Sequence, residues 1–153
     1  MEWKPEQRIL LFRFNFARGF YLLYMSDQLR KRTNRFALDV MGLCSQLPRR
    51  FEVQHIYSQL LRSSSSVAAN FRAAFRGRSK AEFIAKLGIA EEECDESQFW
   101  LEMLRDGLAT LQLKVSDDRA RNLEQLIAEA NELLRIIIAS RVTAKGRKEH
   151  LAP

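Results

Sequence analysis

The side chains that most often perform catalysis or hold metals are few in this sequence and poorly spaced for either task. Its two histidines are His55 and His150, and neither lies in the HxxxH, HExxH or Cys/His spacing that builds a zinc site. Its two cysteines, Cys44 and Cys94, each fall on an apolar stripe, which indicates reduced thiols that pack like small hydrophobic side chains. We therefore predict no metal, no cofactor and no catalytic centre.

Carboxylates are concentrated between residues 91 and 96, a density that supplies di-metal sites in some helical bundles. Such sites also require Glu-x-x-His on facing helices, and no histidine here has that spacing. Glu93, Glu96 and Trp100 instead share one helical face at three- and four-residue spacing. We predict that these three residues form an oligomer interface, in which the carboxylates meet arginine from a neighbouring second helix. A solvated acidic face is the alternative.

Four consecutive serines, residues 63–66, could be mistaken for a linker or a nucleophile. Apolar residues flank them on both sides, and no base is available to activate a hydroxyl. We interpret them as small residues through which another helix approaches closely. Asn70 follows on the same segment, and we predict a structural hydrogen bond across helices because a buried amide needs partners; a ligand contact is the alternative.

Basic side chains are the strongest functional signal in the chain. Residues 30–86 carry twelve basic and three acidic side chains, whereas residues 87–106 carry one and seven. Cations without a base-reading motif predict contacts to the phosphates of RNA or DNA rather than recognition of sequence. An acidic protein partner, or charges that only solvate the surface, are the alternatives. The predicted nucleic-acid-binding residues are Arg62, Arg72, Arg76, Arg78, Lys80 and Lys86.

The elements that position these residues are predicted to be helices. The chain has 153 residues, enough for one domain with a real core, and its few glycines and prolines disfavour a turn-rich β fold. Breaks at Pro48, around Gly77 and from Asp106 to Asp118 leave four helices, the first two at about 27–47 and 52–76. Short connections predict an all-α, antiparallel up-down-up-down four-helix bundle.

Apolar residues recur at three- and four-residue spacing in every predicted helix, most regularly in the third. Ser79, with Glu82 three residues later, predicts a capping box at the start of that helix. The core stripes of the four helices are, in order, Phe36, Val40, Leu43 and Leu47; Leu60, Ser64, Val67, Phe71 and Ala74; Phe83, Leu87, Ala90, Cys94, Ser97, Leu101 and Leu104; and Leu123, Ile127, Ala130, Leu134 and Ile137, the last of these widened by Leu126, Leu133 and Ile138.

Three regions follow from this pattern. Residues 1–25 are predicted to be an additional hydrophobic, amphipathic N-terminal segment, and residues 26–142 the bundle. Residues 143–153 carry basic side chains without apolar periodicity, which predicts a flexible tail.

The window 9–25 approaches the length of about 20 apolar residues that a membrane span requires. Arg13, Asn15 and Arg18 lie in its middle, and no signal-peptide cleavage site follows, so we expect neither a span nor a signal peptide. Packing on the bundle is our prediction, with attachment to a membrane surface as the alternative. A further alternative is that Met25 is the natural start.

Three segments with intact spacing carry a family resemblance: QLLRSSSSVAAN at 59–70, RSKAEF at 78–83 and FWLE at 99–102, with Ala90 and Glu93 between them. In these segments the chain resembles the bacterial four helix bundle proteins, first met as products of open reading frames inside intervening sequences of large-subunit ribosomal RNA genes. The resemblance implies a non-enzymatic protomer that assembles into a ring, usually a homopentamer, with a basic surface suited to nucleic acid.

The accessory variability determinant of diversity-generating retroelements is similar in fold to that family, and its ring partners a reverse transcriptase and its RNA. The resemblance thus implies a protein partner of this kind. The chain departs from the family pattern at Ala73, where relatives commonly carry glutamate, and in its N-terminal segment.

We therefore predict a cytoplasmic, homo-oligomeric, non-enzymatic bundle that binds RNA or DNA through phosphate contacts, as an accessory to a nucleic-acid enzyme. The alternative is a structural or protein-interaction scaffold without a nucleic-acid ligand.

Overall fold

The computed structural model describes residues 27–146, and contacts divide the chain into the units Met1–Arg32 and Thr33–Pro153. The predictions for the N-terminal segment 1–25 and for residues 147–153 of the tail lie outside the described residues.

All regular structure within the described range is helical, which confirms the all-α four-helix bundle. Helix α1 is described over 27–46, and the other helices are α2 (Phe51–Ala74), α3 (Lys80–Thr110) and α4 (Asp117–Lys145). No helix in this range is long and apolar enough to cross a lipid bilayer.

The connection between α1 and α2 is built around Pro48, which disfavours helical backbone in the residue before it. The Pro48 carbonyl accepts a hydrogen bond from the Arg50 amide (3.1 Å) and another from the Tyr57 hydroxyl (3.0 Å). Burial raises the pKa of Tyr57 to about 12, so its hydroxyl stays protonated and ties α2 to this connection.

The predicted stripes of α1 and α2 are buried throughout, and that of α3 is buried except for Phe83, which is half-buried. Helix α3 continues past the break that we predicted at Asp106 and Gly107. Leu108 is 4% exposed and adds one more buried position to the stripe. Burial of a leucine contributes about 1.5–3 kcal/mol, more than the roughly 1 kcal/mol that a glycine costs inside a helix.

The stripe of α4 is centred differently from the prediction. Leu126 and Leu133, which we predicted only to widen the stripe, are buried, whereas Ile127 and Leu134, which we had placed at its centre, are half-buried. Ile138, also predicted to widen the stripe, is exposed. The predicted and the observed stripe both step by three and four residues, and they share Leu123, Ala130 and Ile137. The spacing alone therefore did not distinguish them. The helix also reaches Lys145, three residues into the predicted tail.

Helices α2 and α3 are antiparallel, because contacts near the end of α2 involve the start of α3. The rings of Phe75 and Phe83 lie 5.3 Å apart, and the hydroxyls of Ser63 and Ser97 are 2.9 Å apart further along. Both serines are fully buried. Their small side chains therefore lie where the two helices approach each other, as we predicted for the serines at 63–66.

Helices α3 and α4 are antiparallel as well. The Cys94 thiol donates to the Ala130 carbonyl (3.4 Å), and Glu91, one turn earlier on α3, pairs with Arg141, later on α4. The complete up-down-up-down order, with α1 included, stays a prediction.

Candidate nucleic-acid interface

The predicted binding residues centre on the turn between α2 and α3. The Arg76 and Gly77 amides donate to the carbonyls of Ala73 (3.0 Å) and Ala74 (3.1 Å), which closes the turn tightly. A Cβ atom on Gly77 would lie 3.1 Å from the Ala74 oxygen, so this approach suits a residue without a side chain. The backbone thus holds the residues on either side of Gly77 at fixed positions.

The start of α3 is held by the predicted capping residues. The Ser79 hydroxyl accepts a hydrogen bond from the Glu82 amide (3.1 Å). The Glu82 carboxylate accepts from the amide of Arg78 (2.9 Å), one residue earlier than in the usual reciprocal pair. Glu82, the one acidic side chain between residues 72 and 86, is therefore directed to the backbone of the turn.

Five cations surround this turn, and we call them the basic turn: Arg72, Arg76, Arg78, Lys80 and Lys86. Lys86 is half-buried and the other four are exposed. None of the ion pairs between residues 27 and 146 involves any of the five. Their charge is therefore neutralised by no carboxylate in the described part of the protein.

Most other arginines in that part do have a carboxylate partner. The pairs are Arg30–Asp27, Arg35–Asp39, Arg50–Glu52, Arg62–Glu93, Arg105–Asp106, Arg121–Asp118 and Arg141–Glu91. Arg49, Lys114, Arg119, Arg135 and Lys145 have none among the described residues, but they are dispersed along the chain.

Arg62, the sixth predicted binding residue, lies apart from the basic turn. Its Nη1 is 3.0 Å from Glu93 Oε2, its Nη2 bonds the Glu96 carboxylate, and its Nε donates to Gln59 (3.2 Å). The Arg62 guanidinium, with a smaller effect of the Trp100 indole, holds the pKa of Glu96 below its usual value. The arginine that we predicted to come from a neighbouring protomer is supplied by this chain's own α2, and Arg62 is engaged rather than free for phosphate.

Trp100, predicted at the oligomer interface, is half-buried on α3. Its Nε1 donates to Glu96 (3.0 Å), and its ring meets the rings of His55 (5.6 Å) and Phe99 (4.9 Å) edge to face. Phe99 is 49% exposed and Met103, one turn later, is 41% exposed. Glu93, Glu96 and Trp100 therefore border an exposed apolar surface of α3.

The hydrogen bonds of Asn70 differ from the prediction. Its amide nitrogen donates to the carbonyl (3.0 Å) and the hydroxyl (3.1 Å) of Ser66, one turn earlier on the same helix. The predicted contact across helices was wrong, because a half-buried amide found partners within α2. Ser63 and Ser97 make a buried polar contact between α2 and α3, beside the exposed pairs of Arg62 with Glu93 and Glu96.

Comparison with known proteins places this arrangement in a family. The family model of 23S rRNA-intervening sequence proteins matches residues 26–139. The chain belongs to this family. The match confirms the resemblance drawn from the sequence, and it covers α1 to α3, the turn with its capping residues, and α4 as far as residue 139.

This 23S rRNA-intervening sequence family protein also resembles a solved structure. That structure is a protein of unknown function from the S23 ribosomal protein family of Bacteroides thetaiotaomicron, with 27% sequence identity and a TM-score of 0.61. The similarity covers 74% of this chain and 97% of the other. Comparison with curated proteins gave no significant match.

Two residues of this family member that sequence reasoning missed lie at the same end of the bundle. Phe75, the C-cap residue of α2, lies between Arg72 and Arg76 in the sequence and is 45% exposed. Lys145 is exposed one turn after Arg141, whose guanidinium is bound to Glu91, about three turns into α3 (Nη2–Oε1 2.8 Å, Nε–Oε2 2.6 Å). From the sequence, Phe75 could have been found as an aromatic residue between two arginines. Lys145 could not, because its position at this end depends on the register of α4 against α3.

The opposite end of α3 and the start of α4 line an open, mainly apolar pocket of about 620 Å³. Leu108, Leu113 and Leu123 line it, together with Arg105 and Arg121, which are both paired with carboxylates. It brings together no set of titratable groups suited to acid–base catalysis.

Groups that hold metals or act as nucleophiles are not assembled elsewhere in residues 27–146. No cluster of three or more His, Cys, Asp or Glu side chains in that range is arranged to bind a metal ion. Burial raises the pKa of Cys44 to about 11 and that of Cys94 to about 12, so both thiols are poor nucleophiles.

Proposed function

We propose that this protein is a non-enzymatic, homo-oligomeric helical bundle that binds RNA or DNA through phosphate contacts of the basic turn. The observation that carries the proposal is the cluster of five cations at one tight turn, without a carboxylate partner among the described residues. Binding of a polyanion would supply the missing neutralisation.

The physical basis is the release of counterions from the nucleic acid. Each phosphate that a lysine or arginine neutralises steepens the salt dependence of binding by about 0.9 on duplex DNA and about 0.7 on a single strand. Backbone contacts of this kind do not select a sequence. A homopentamer, as the family resemblance implies, would repeat the basic turn around a ring and raise the overall affinity by multivalency.

Two triple variants with equal loss of charge test the site. One replaces Arg72, Arg76 and Arg78 by alanine, and the control replaces the exposed Arg119, Arg121 and Arg135 of α4. Fluorescence anisotropy with labelled RNA and DNA across a salt series should show strong loss of affinity for the first variant. We expect its slope against log salt to fall by about two to three, as the loss of three contacts predicts.

The control variant should retain most of its affinity and slope. Equal losses in the two variants would show that net charge, rather than the basic turn, determines binding. Absence of binding by the unmodified protein at low salt would refute the proposed function.

The oligomeric part of the proposal rests on the α3 surface around Glu93, Glu96 and Trp100. The exposed side chains of Phe99 and Met103 beside it offer apolar area that a second copy would bury. Light scattering of the protein and of a Phe99→Ser/Met103→Ser variant tests this surface. We expect an oligomer that dissociates in the variant; a monomeric parent protein would contradict the ring.

A protein-interaction scaffold is the second candidate, and the same exposed apolar surface favours it. Phe51 at the start of α2 is 88% exposed and adds to the unpartnered apolar area. An oligomer that binds no RNA or DNA in the salt series would support this candidate. An accessory role beside a nucleic-acid enzyme such as a reverse transcriptase belongs to the first candidate, because RNA would join the two proteins.

A further inference from the structure

Phe75 is an exposed aromatic side chain in the middle of the basic turn. It is the C-cap residue of α2, directly after Ala74, with 45% of its surface open to solvent. Arg72 lies one helical turn before it, Arg76 follows it directly, and Arg78 lies three residues later. An apolar ring thus lies among cations that have no carboxylate partner in the described residues. A basic surface that is only solvated would not require an aromatic ring at this place.

The ring of Phe75 is held from within the protein. It lies 5.2 Å from the ring of Phe71, which is 1% exposed, and 5.3 Å from that of Phe83 at an interplanar angle of 78°. These contacts fix one side of Phe75 to the core while nearly half of the residue stays accessible. The Phe75 side chain is therefore already ordered before a ligand stacks on it, so binding costs little side-chain entropy.

We infer that Phe75 is a stacking platform for an unpaired base, so that the basic turn binds single-stranded RNA or DNA in preference to duplex. This inference rests on the proposed function. Every unpaired base offers a flat π-face, and aromatic side chains bind that face with little dependence on sequence. The bases of a duplex are stacked on one another and show only their edges in the grooves.

Electrostatics alone gives the opposite preference. Duplex DNA has the higher charge density, and each phosphate contact releases more counterion from it than from a single strand. A preference for single strands therefore requires a contact to the base, and Phe75 is the more exposed of the two aromatic side chains, Phe75 and Phe83, that lie between the cations of the basic turn. An acidic protein would gain charge pairing there but would not require the ring.

The test combines four proteins with three ligands. The proteins are the unmodified chain, Phe75→Leu, Phe75→Trp and the control Phe51→Leu, which alters an exposed ring (88%) at the other end of α2. The ligands are a short labelled oligoadenylate, a strand of the same length made of abasic sites, and a duplex of the same length. Thermal unfolding and light scattering of each variant show that fold and oligomeric state are retained.

We expect Phe75→Leu to weaken oligoadenylate binding about 5- to 100-fold, the range found when a stacking aromatic is removed. Its binding to the abasic strand and to the duplex should stay unchanged, because the phosphate contacts remain. Phe75→Trp should bind oligoadenylate at least as well as the unmodified chain, and the control Phe51→Leu should bind as tightly as the unmodified chain.

Equal weakening of all three ligands by Phe75→Leu would overturn the inference and leave the phosphate contacts standing. So would an unmodified protein that binds the abasic strand as tightly as oligoadenylate. If it binds none of the three, the proposed function fails and this inference fails with it.

Discussion

Replacement of Ser97 by valine should destabilise the bundle by about 2–4 kcal/mol. Ser97 is fully buried between α2 and α3, with its hydroxyl 2.9 Å from that of Ser63 and 2.7 Å from the Glu93 carbonyl. Insertion of extra methyl groups into such a contact costs about 1–3 kcal/mol, and loss of the buried hydrogen bond adds about 1 kcal/mol.

Alanine at the same position separates the two contributions. Ser97→Ala removes the hydroxyl without adding bulk, and Ser63 still lies within hydrogen-bond distance of the Leu60 carbonyl (3.3 Å). We therefore expect Ser97→Ala to cost only about 1 kcal/mol or less. The difference between the valine and alanine variants measures how closely the two helices approach each other.

Urea unfolding followed by circular dichroism gives these free energies. It should be repeated at several protein concentrations, because oligomerisation makes apparent stability concentration-dependent. Ser45→Val is the matched control, since Ser45 is exposed on α1 and bonds only the Gly42 carbonyl among the described residues. The control should stay within about 0.5 kcal/mol of the parent. A Ser97→Val protein as stable as the control would refute the close approach of α2 and α3.

Three further predictions concern the turn, the thiols and acid stability. Gly77→Ala should destabilise the protein by about 1 kcal/mol or more because its Cβ would press on the backbone, whereas Gly42→Ala, with open space around it, should stabilise α1 by about 0.5–1 kcal/mol in thermal unfolding. Burial raises the pKa of Cys94 to about 12 and that of Cys44 to about 11, so both thiols should react with a thiol reagent far more slowly in the folded protein than in denaturant. Cys94 should be the slower of the two, and rapid labelling of Cys94 in the folded protein would contradict its burial. The Arg62 guanidinium lowers the pKa of Glu96 below its ordinary value of 4.5, so the Glu96 carboxylate stabilises the fold fully above pH 4.5 and loses this effect as the pH falls through the lowered pKa. Glu96→Gln should therefore make stability less dependent on pH in this acid range. An unchanged acid-unfolding profile in the variant would contradict the pairing of Glu96 with Arg62.

The fold was predictable because the apolar spacing repeats over many turns in each helix. The errors fell where spacing leaves two answers open. Gly107 looked like a helix end, and only the burial of Leu108 against the bundle shows why the helix continues. Leu126 and Ile127 fit equally regular stripes on α4, so the choice between them depended on the packing of α3, which a single sequence does not contain.

The candidate site was predictable as a set of charges but not as a set of partners. Arg62 and Glu93 are 31 positions apart, and sequence gave no register for α2 on α3. The composition of α3 suggested arginines from another protomer, since the pairing within the chain could not be seen. Asn70 was assigned a partner on another helix for the same reason, although Ser66 lies one turn away from it.

The pairing pattern changes the meaning of the charge asymmetry between the two halves of the α2–α3 hairpin. Several carboxylates that make residues 87–106 acidic are bound to arginines: Glu93 and Glu96 to Arg62, and Glu91 to Arg141. The acidic half of the hairpin is therefore partly neutralised by α2 and α4. The basic turn has no such compensation from the described residues, and α4 brings the cation Lys145 to the same end of the bundle. Among the described residues, the cations without a carboxylate partner are thus grouped most densely at the basic turn, which favours a polyanion bound there over one spread along the helices.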